Sequence, residues 1–328
     1  MSQIASEQTV TGGETPPAVG GQPSQEVIGR SPWELFWRRF REDRAAKIGL
    51  VIIVILLVLA IAAPLFAKMT GHGPDELFIY ETLDENGIPD GPNGEFWFGA
   101  DGTSRDLFVR ILYGARISLT VAFVATGIEL AIGVALGLIA GFYRGKMDTL
   151  LSRIADVVYS LPVLLLALGL VAACGLSKEG CLGGVIKQGL GPVIMVISLF
   201  SWPYLFRIVR GQVFTLREKE FVEAARAMGS SNFRIMWREI LPNVLAPIIV
   251  YTTLIIPTNI LFESALSFLG LGVQPPTPSW GAMLEEASTA FTYAWWLLVF
   301  PGTFLVLTTL AFNLVGDGLR DAFDPRMA

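Results

Sequence analysis

The chain has 328 residues, of which 52% are hydrophobic and 16% are charged, with a formal net charge of -5 and a mean hydropathy of +0.56. Soluble domains usually carry about 25% charged residues, so this composition excludes an ordinary soluble enzyme. The uncharged run at 48–67 is long enough to cross roughly 30 Å of hydrocarbon. The sequence therefore predicts an all-α polytopic membrane protein.

The N-terminal part divides into a tail and an amphipathic helix. Residues 1–30 are rich in Gly, Pro, Ser and Gln, which is typical of a disordered tail. Segment 31–47 begins with Ser31 and Pro32, a helix N-cap followed by a proline at the first helical position. Four aromatic residues then recur at helical spacing opposite three arginines, and this pattern favours a helix lying in the membrane interface over one packed on protein. They are Trp33, Phe36, Trp37 and Phe40.

Six segments are predicted to span the membrane. They cover about residues 48–67, 115–142, 152–173, 189–208, 243–268 and 294–316. Of the 24 Lys and Arg residues, 18 fall on one side of these spans, which the positive-inside preference makes the cytoplasmic side. Both termini, including the tail at 317–328, are therefore expected in the cytoplasm. The acidic, Gly- and Pro-containing segment 68–114 is expected to form a small folded region on the opposite side.

Few side chains suited to catalysis are present. The sequence contains one histidine, His72, and two cysteines, so most metal sites and histidine-dependent nucleophilic mechanisms lack residues. The glycine-rich loop that cradles nucleotide phosphates is also missing from the sequence. We therefore expect no catalytic residue, metal site or cofactor in this chain and no nucleic-acid partner, and any ATP that drives it is expected to bind another chain.

Cys174 and Cys181 lie seven residues apart in the loop predicted on the outer side of the membrane. In an oxidising compartment two such thiols often form a disulfide, and two cysteines permit one intramolecular connectivity. The alternative is a pair of free thiols.

The loop at 209–242, between the fourth and fifth spans, contains the strongest motif. Its sequence EFVEAARAMG, residues 220–229, reads as an alanine-rich helix that ends at a glycine. Ser230 or Ser231 can cap a second helical stretch, which is predicted to end at Leu241-Pro242. An ordinary basic connecting loop would explain the charges of this segment but not its order of helix, glycine and helix.

At these positions the chain resembles the permease subunits of ABC importers, whose cytoplasmic loop carries Glu-Ala-Ala-x-x-x-Gly followed by Ile-x-Leu-Pro. The matching residues are Glu223, Ala224, Ala225, Gly229, Leu241 and Pro242, and Glu239 stands where the family has Ile. In that family the loop docks into a cleft on the ATPase subunit, so the resemblance implies a coupling role for the matched residues.

Three further stretches are similar to the C-type subunit of dipeptide and oligopeptide permeases: LSFLGLGVQPPTPSWG at 266–281, NLVGDGLRDAFDPR at 313–326, and residues 99–118. The resemblance implies the type I importer fold, with a five-helix core at 115–316. It also implies that the chain lies in the bacterial inner membrane, in contact with membrane lipid. The implied partners are a homologous second permease and two ATPase subunits that bind ATP and Mg. An extracytoplasmic binding protein would deliver short peptides.

Polar residues inside the predicted spans are costly and are therefore candidates for the translocation path. Glu129 lies near the middle of the second span, where it is expected either at the translocation path or in a buried pair with a partner permease. The alternative is a protonated or snorkelling structural role. Asn259 and Glu263 share a helical face in the fifth span, just beyond Pro257. We expect these two to line the pore.

Other functions remain open at this stage. Nickel chelates or antimicrobial peptides are alternative cargoes, because permeases for them have similar subunits. A stand-alone secondary transporter would be expected to show internal repeats with broken helices in both halves, and it would leave the Glu-Ala-Ala loop unexplained. A membrane enzyme is the weakest alternative, since the sequence shows no catalytic cluster.

The disulfide can be tested by mass spectrometry. If Cys174 and Cys181 are bonded, both should be alkylated only after reduction of the purified protein. Alkylation of both cysteines without a reductant would exclude the bridge.

Overall fold

The computed structural model describes residues 32–85, 87–175 and 189–323. Within these ranges the chain is helical, with two isolated antiparallel bridges, Leu83 with Pro89 and Ala100 with Asp106, and no longer strand. The all-α prediction is therefore confirmed. The predicted tail at 1–30, the Ser31 cap and the Cys174–Cys181 disulfide lie outside the residues and side chains described.

Twelve helices follow one another in the described part of the chain. They are α1 (Pro32–Glu42), α2 (Arg44–Thr70), α3 (Ile79–Thr82), α4 (Leu107–Tyr143), α5 (Gly145–Ser160), α6 (Val163–Gly175), α7 (Leu190–Leu216), α8 (Glu220–Ala227), α9 (Asn232–Arg234), α10 (Leu241–Phe268), α11 (Trp280–Ala290) and α12 (Trp296–Phe323). Residues Ile235–Ile240, between α9 and α10, form a π-helical turn.

Five helical stretches of the described chain are long and apolar enough to cross a membrane: α2, α4, α7, α12, and α9 joined to α10 through the π-helical turn. The third predicted span, 152–173, is wrong as a single helix, because α5 and α6 meet at a bend of 80°. Leu161 is extended at the bend, with ψ 135°, since the residue before Pro162 is disfavoured in the helical region. The bent pair supplies the sixth span when it is counted as one unit.

Three helices extend past their predicted limits. α2 begins at Arg44, where the Asp43 carboxylate accepts hydrogen bonds from the Ala45 and Ala46 amides at 2.8 and 3.1 Å, so the first helix ends before residue 47. α4 begins at Leu107, and the region between α2 and α4 is shorter than 68–114. α12 continues to Phe323, so 317–323 is helical.

The aromatic side of α1 packs on protein, as in the alternative to a helix that lies in the membrane interface. Phe36 and Phe40 are each 6% exposed, and the Phe36 ring stacks on Phe323 of α12 at 4.3 Å. Trp37 is 53% exposed. The C-terminal end of α12 therefore covers Phe36 and Phe40. The Trp33 side chain is not among those that the structure describes.

α4 and α7 approach closely along a row of glycines. Added Cβ atoms at Gly133, Gly137 and Gly141 would lie 3.0, 2.8 and 2.6 Å from Cβ of Leu205, Val209 and Val213 respectively. Small residues at four-residue spacing allow helix backbones in membranes to approach, and the association then rests on van der Waals packing. Any side chain at these positions would push α4 and α7 apart.

The 266–281 segment folds back onto α4. The fully buried Trp280 donates from Nε1 to the Ile111 carbonyl at 3.2 Å. A Cβ at Gly281 would lie 2.5 Å from the Ser264 carbonyl oxygen, so glycine is needed for this approach. Ser279 caps α11 by accepting from the Ala282 amide at 3.3 Å. The segment thus connects the end of α10 to the beginning of α4.

The glycine row gives a stability prediction. Gly141→Ala should lower the thermal midpoint of the detergent-purified protein, because overpacking a tight contact costs roughly 1–3 kcal/mol. Gly127→Ala is the matched control: it lies on the same helix, and its added Cβ would meet no atom within 4 Å. Both changes gain the same helix propensity. The thermal midpoints are measured by tryptophan fluorescence. Equal midpoints for Gly141→Ala and Gly127→Ala would contradict the packing role of the glycine row.

Candidate functional site

The segment between α7 and α10, residues 217–240, contains the two short helices that the sequence predicts. α8 ends in a Schellman motif: the Gly229 amide donates to the Arg226 carbonyl at 2.9 Å, and the Ser230 amide donates to the Ala225 carbonyl at 3.0 Å. Gly229 has a φ of +77°, which favours glycine. Ser231 accepts from the Arg234 amide at 3.4 Å and so caps α9.

This segment is shorter than the predicted loop at 209–242, because α7 continues to Leu216 and α10 begins at Leu241. The predicted end of the second helix at Leu241-Pro242 is wrong, since the helix continues to Phe268. Pro242 lies in the first turn of α10, directly after the π-helical turn. Leu241 is partly buried and Pro242 is exposed.

α8 has one face on the protein and one face open. Val222 and Ala225 are 0% and 4% exposed and belong to a hydrophobic cluster with Val213 of α7 and Phe142 of α4. Glu223 and Ala224 are exposed, so they are available to a partner. Of the predicted residues on this helix, Ala225 therefore anchors α8 instead of contacting a partner.

Four large apolar side chains of this segment are exposed, and none of them was predicted as a site residue. Phe221, Met228, Phe233 and Trp237 are 37%, 79%, 67% and 48% exposed. The Phe233 and Trp237 rings are 5.9 Å apart. Exposed apolar groups clustered in this way mark contact surfaces. Their signal in the sequence is the placement of apolar residues among charged ones on both sides of Gly229.

Arginine side chains connect neighbouring helices at the end of the molecule where α8 lies. Arg210 of α7 pairs with Asp148 of α5, with Nη2 and Oδ2 2.9 Å apart. Arg217 donates to the Phe142 carbonyl, and the Arg226 guanidinium lies over the Phe142 ring at 5.5 Å. α8 is therefore held against the last turn of α4 by both packing and charge.

In the middle of the helix bundle, α4 and α10 are joined by a polar triad. Asn259 Nδ2 donates to Glu129 Oε1 and to Thr126 Oγ1, each at 2.9 Å. Glu129 and Asn259 are 1% and 2% exposed. Glu129 Oε2 is buried and has no hydrogen-bond partner among the described residues. Thr126 was not predicted, although its position three residues before Glu129 places it on the same helical face.

The triad lies beside a cavity of about 570 Å³ between α4, α5, α6, α7 and α10. Glu129 and Asn259 both line it. The other lining residues are Tyr159, Val163, Phe200, Ser201, Tyr204, Leu254, Ile255, Thr258 and Phe262. A mostly aromatic and apolar wall with a few polar groups is typical of a site for a small organic molecule.

Glu263, which was predicted with Asn259 to line the pore, does not line this cavity. Its side chain is fully buried and accepts hydrogen bonds from the hydroxyls of Ser118 at 2.9 Å and Ser267 at 2.7 Å. Ser264 lies at 3.5 Å. Both carboxylate oxygens are thus occupied within the protein. The sequence signal for this arrangement is Ser267, one helical turn after Glu263.

A charged cluster lies near the start of α4. Asp101 Oδ2 is 2.7 Å from Arg105 Nε and 3.1 Å from Arg110 Nε. Burial raises the pKa of the neighbouring Glu286 carboxyl in α11, and the Asp101 carboxylate raises that pKa further. His72 Nδ1 lies 2.6 Å from Oδ2 of Asp106, the residue that caps α4. These contacts join the segment before α4 to α11.

None of the groups of His, Cys, Asp and Glu in the described residues is arranged to hold a metal ion. The acidic residues of the charged cluster face arginines instead.

The chain was compared with known families and proteins. Residues 133–328 match the family described as binding-protein-dependent transport system inner membrane component. Residues 31–82 match the N-terminal TM domain of oligopeptide transport permease C.

Two relatives extend the match over nearly the whole chain. The dipeptide transport system permease protein DppC of Alkalihalophilus pseudofirmus is 42% identical over 313 residues, 95% of this chain and 96% of that protein. The glutathione transport system permease protein GsiD of Escherichia coli is 43% identical over 298 residues, 91% of this chain and 92% of that protein.

A solved structure shows the same fold. An inward-facing structure of the MetNI methionine ABC transporter matches with a TM-score of 0.53 and 20% identity, covering 65% of this chain and 96% of the matched chain. Together with the helical architecture and the family match, this likeness identifies the type I importer permease fold. The chain therefore belongs to the binding-protein-dependent transport permeases, the multi-pass membrane subunits of ABC importers.

Proposed function

We propose that this chain is one of two permease subunits of an ATP-driven importer of short peptides. The observation that carries the proposal is the 42–43% identity, over more than nine-tenths of the chain, to permeases named for dipeptide and for glutathione transport. Both cargoes are small peptides with a free amino group. The proposed location is the bacterial inner membrane, with both termini in the cytoplasm.

The proposed complex contains a homologous second permease, two ATPase subunits and an extracytoplasmic binding protein. ATP and Mg are held by the ATPase subunits. The family description, which makes transport dependent on a binding protein, supports the last of these partners. In this arrangement the present chain contributes half of the path and no hydrolytic chemistry.

Coupling to ATP hydrolysis is assigned to the open face of α8. Glu223 and Ala224 are exposed, and Ala224 is small enough to allow close approach of a partner backbone. The exposed Phe221 and Met228 supply apolar area on the same segment. Motion of the ATPase subunits would then reach α4 and α7 through the buried face of α8, because that face packs on both helices.

The proposed role of Gly229, Leu241 and Pro242 is indirect: they position the open face of α8. Gly229 permits the sharp turn after α8, since its φ is positive. Leu241 and Pro242 begin α10 directly after the π-helical turn. Their role is to hold α8 at a defined position relative to the membrane helices.

Glu129 and Asn259 are assigned to the translocation path. Their support is geometric: both line the 570 Å³ cavity within the helix bundle. An ionisable group at this depth is costly unless it faces protein or water, so it is retained where it serves a ligand or a partner.

Reconstitution tests the proposed function. The chain, co-purified with the second permease and ATPases encoded beside it and placed in proteoliposomes with the binding protein, should accumulate radiolabelled dipeptide and glutathione only when ATP is present. Uptake driven by an ion gradient without ATP would indicate a secondary transporter. Uptake of a nickel chelate or an antimicrobial peptide in place of short peptides would correct the cargo.

The coupling face gives a second prediction. Ala224→Glu should abolish peptide-stimulated ATPase activity and reduce co-purification of the ATPase subunits, because a charged side chain is placed where a close contact is proposed. Ala45→Glu is the matched control, an exposed alanine in the first turn of α2. The second permease should co-purify with both variants. Normal coupling in Ala224→Glu would contradict the docking assignment.

A further inference from the structure

In the described part of the chain, the cavity beside the polar triad is lined by one acidic side chain and by no basic one. Glu129 is the only Asp, Glu, Lys, Arg or His among the described residues that line it. The salt bridges within the described chain all involve other carboxylates. The nearby Arg207, whose guanidinium lies 4.7 Å from the ring centroid of the lining Tyr159, is paired with Asp156 at 2.8 Å. The side chains that line the cavity are therefore suited to a cationic group.

One carboxylate oxygen of Glu129 also has no hydrogen-bond donor among the described residues. Asn259 occupies Oε1, whereas Oε2 is buried without a partner in the described part of the chain. Buried polar atoms in folded proteins are nearly always paired, so an orphaned carboxylate oxygen beside a cavity indicates a donor that arrives from outside the described residues. Glu263 shows the contrast, because serine hydroxyls occupy both of its oxygens.

The aromatic side of the cavity also suits a cationic group. Phe200, Tyr204 and Phe262 add aromatic rings to the lining, and such rings attract cations at their faces and also accept apolar side chains. Tyr159 lines the cavity as well, but the Arg207 guanidinium already lies over its ring at 4.7 Å. Thr258 adds a hydroxyl to the lining. A volume of about 570 Å³ lies within the range of pockets for small molecules.

We propose that Glu129 Oε2 binds the protonated amino terminus of the transported peptide, while Asn259 holds the other carboxylate oxygen and is itself anchored to Thr126. The inference rests on the proposed function, because it names the part of the cargo that the path recognises. A free amino terminus is common to short peptides of any sequence. Recognition of this group therefore allows one site to serve cargoes that differ in their side chains.

The test uses the complete transporter, purified in detergent without its binding protein. The probe is radiolabelled Ala-Ala, with two competitors: Ala-Ala methyl ester, which keeps the charged amine, and formyl-Ala-Ala, which loses it. In the wild type the methyl ester should compete and the formyl peptide should not. Glu129→Gln should weaken Ala-Ala binding by about tenfold or more, because a charge-assisted hydrogen bond is lost, and should remove the difference between the competitors.

Glu81→Gln provides the matched control, because it makes the same change at an exposed residue of α3, far from the cavity in sequence. It should bind Ala-Ala and both competitors as the wild type does. A merely structural role for Glu129 would lower binding without altering the preference between competitors, so the preference is the decisive readout.

Three results would overturn the inference: no Ala-Ala binding to the wild-type complex, equal competition by the formyl peptide and the methyl ester, or unchanged binding in Glu129→Gln. Loss of the second permease from purified Glu129→Gln would also overturn it, since Oε2 would then pair with a cation of that subunit. ATP-dependent uptake of Ala-Ala together with any of these results would leave the proposed function intact. Absence of uptake would contradict the proposed function itself.

Discussion

The close contact of α4 with α7 determines where both candidate functional regions lie. Val209 and Val213 rest against Gly137 and Gly141, and they belong to the hydrophobic cluster that also holds Val222 and Ala225 of α8. Farther along the same two helices, Glu129 and Tyr204 line the cavity. Because tightly packed interfaces shift between discrete arrangements more readily than they deform, a rearrangement of α7 on α4 would change the α8 surface and the cavity together.

The two buried carboxyls of the membrane helices show how similar side chains serve different purposes. Glu263 is surrounded by hydroxyls from α4 and α10, and its network reaches Ser279, the cap of α11, through Ser267 at 3.4 Å. It therefore strengthens the fold of the 266–281 segment. Glu129 has an amide partner at one oxygen only. The difference lies in how many donors the neighbouring helices provide, since burial is almost equal at the two sites.

Charge is also distributed according to position in the fold. At the α8 end, Arg210 and Arg217 contact α5 and α4 and hold the helix ends in register. At the opposite end of α4, Arg105 and Arg110 share Asp101. Between these ends the helices are apolar, with the polar triad and the Glu263 network as local exceptions. The charged contacts at both ends thus lie outside the apolar packing surfaces of the helices.

Much of the architecture could be predicted from local sequence. Apolar runs located the membrane helices, because a bilayer requires about 20 apolar residues for each crossing. Gly229 predicted the end of α8, and Ser230 or Ser231 was predicted to cap the next helix, a role that Ser231 takes. Both features depend on backbone geometry and on hydrogen bonds between near neighbours. The family resemblance rested on contiguous motifs for the same reason, and the later comparisons confirmed it.

The sequence alone therefore determined the membrane class, the helical content, the family, and the order of helix, glycine and helix cap after α7. Tertiary structure decided that Phe36 and Phe40 face α12, that Ala225 is buried while Ala224 is open, and that Glu129, but not Glu263, lines the cavity. Helical periodicity indicates which residues share a face, whereas the neighbour of that face depends on how distant helices pack. The hydrogen-bond donors left for each buried carboxylate follow from that packing.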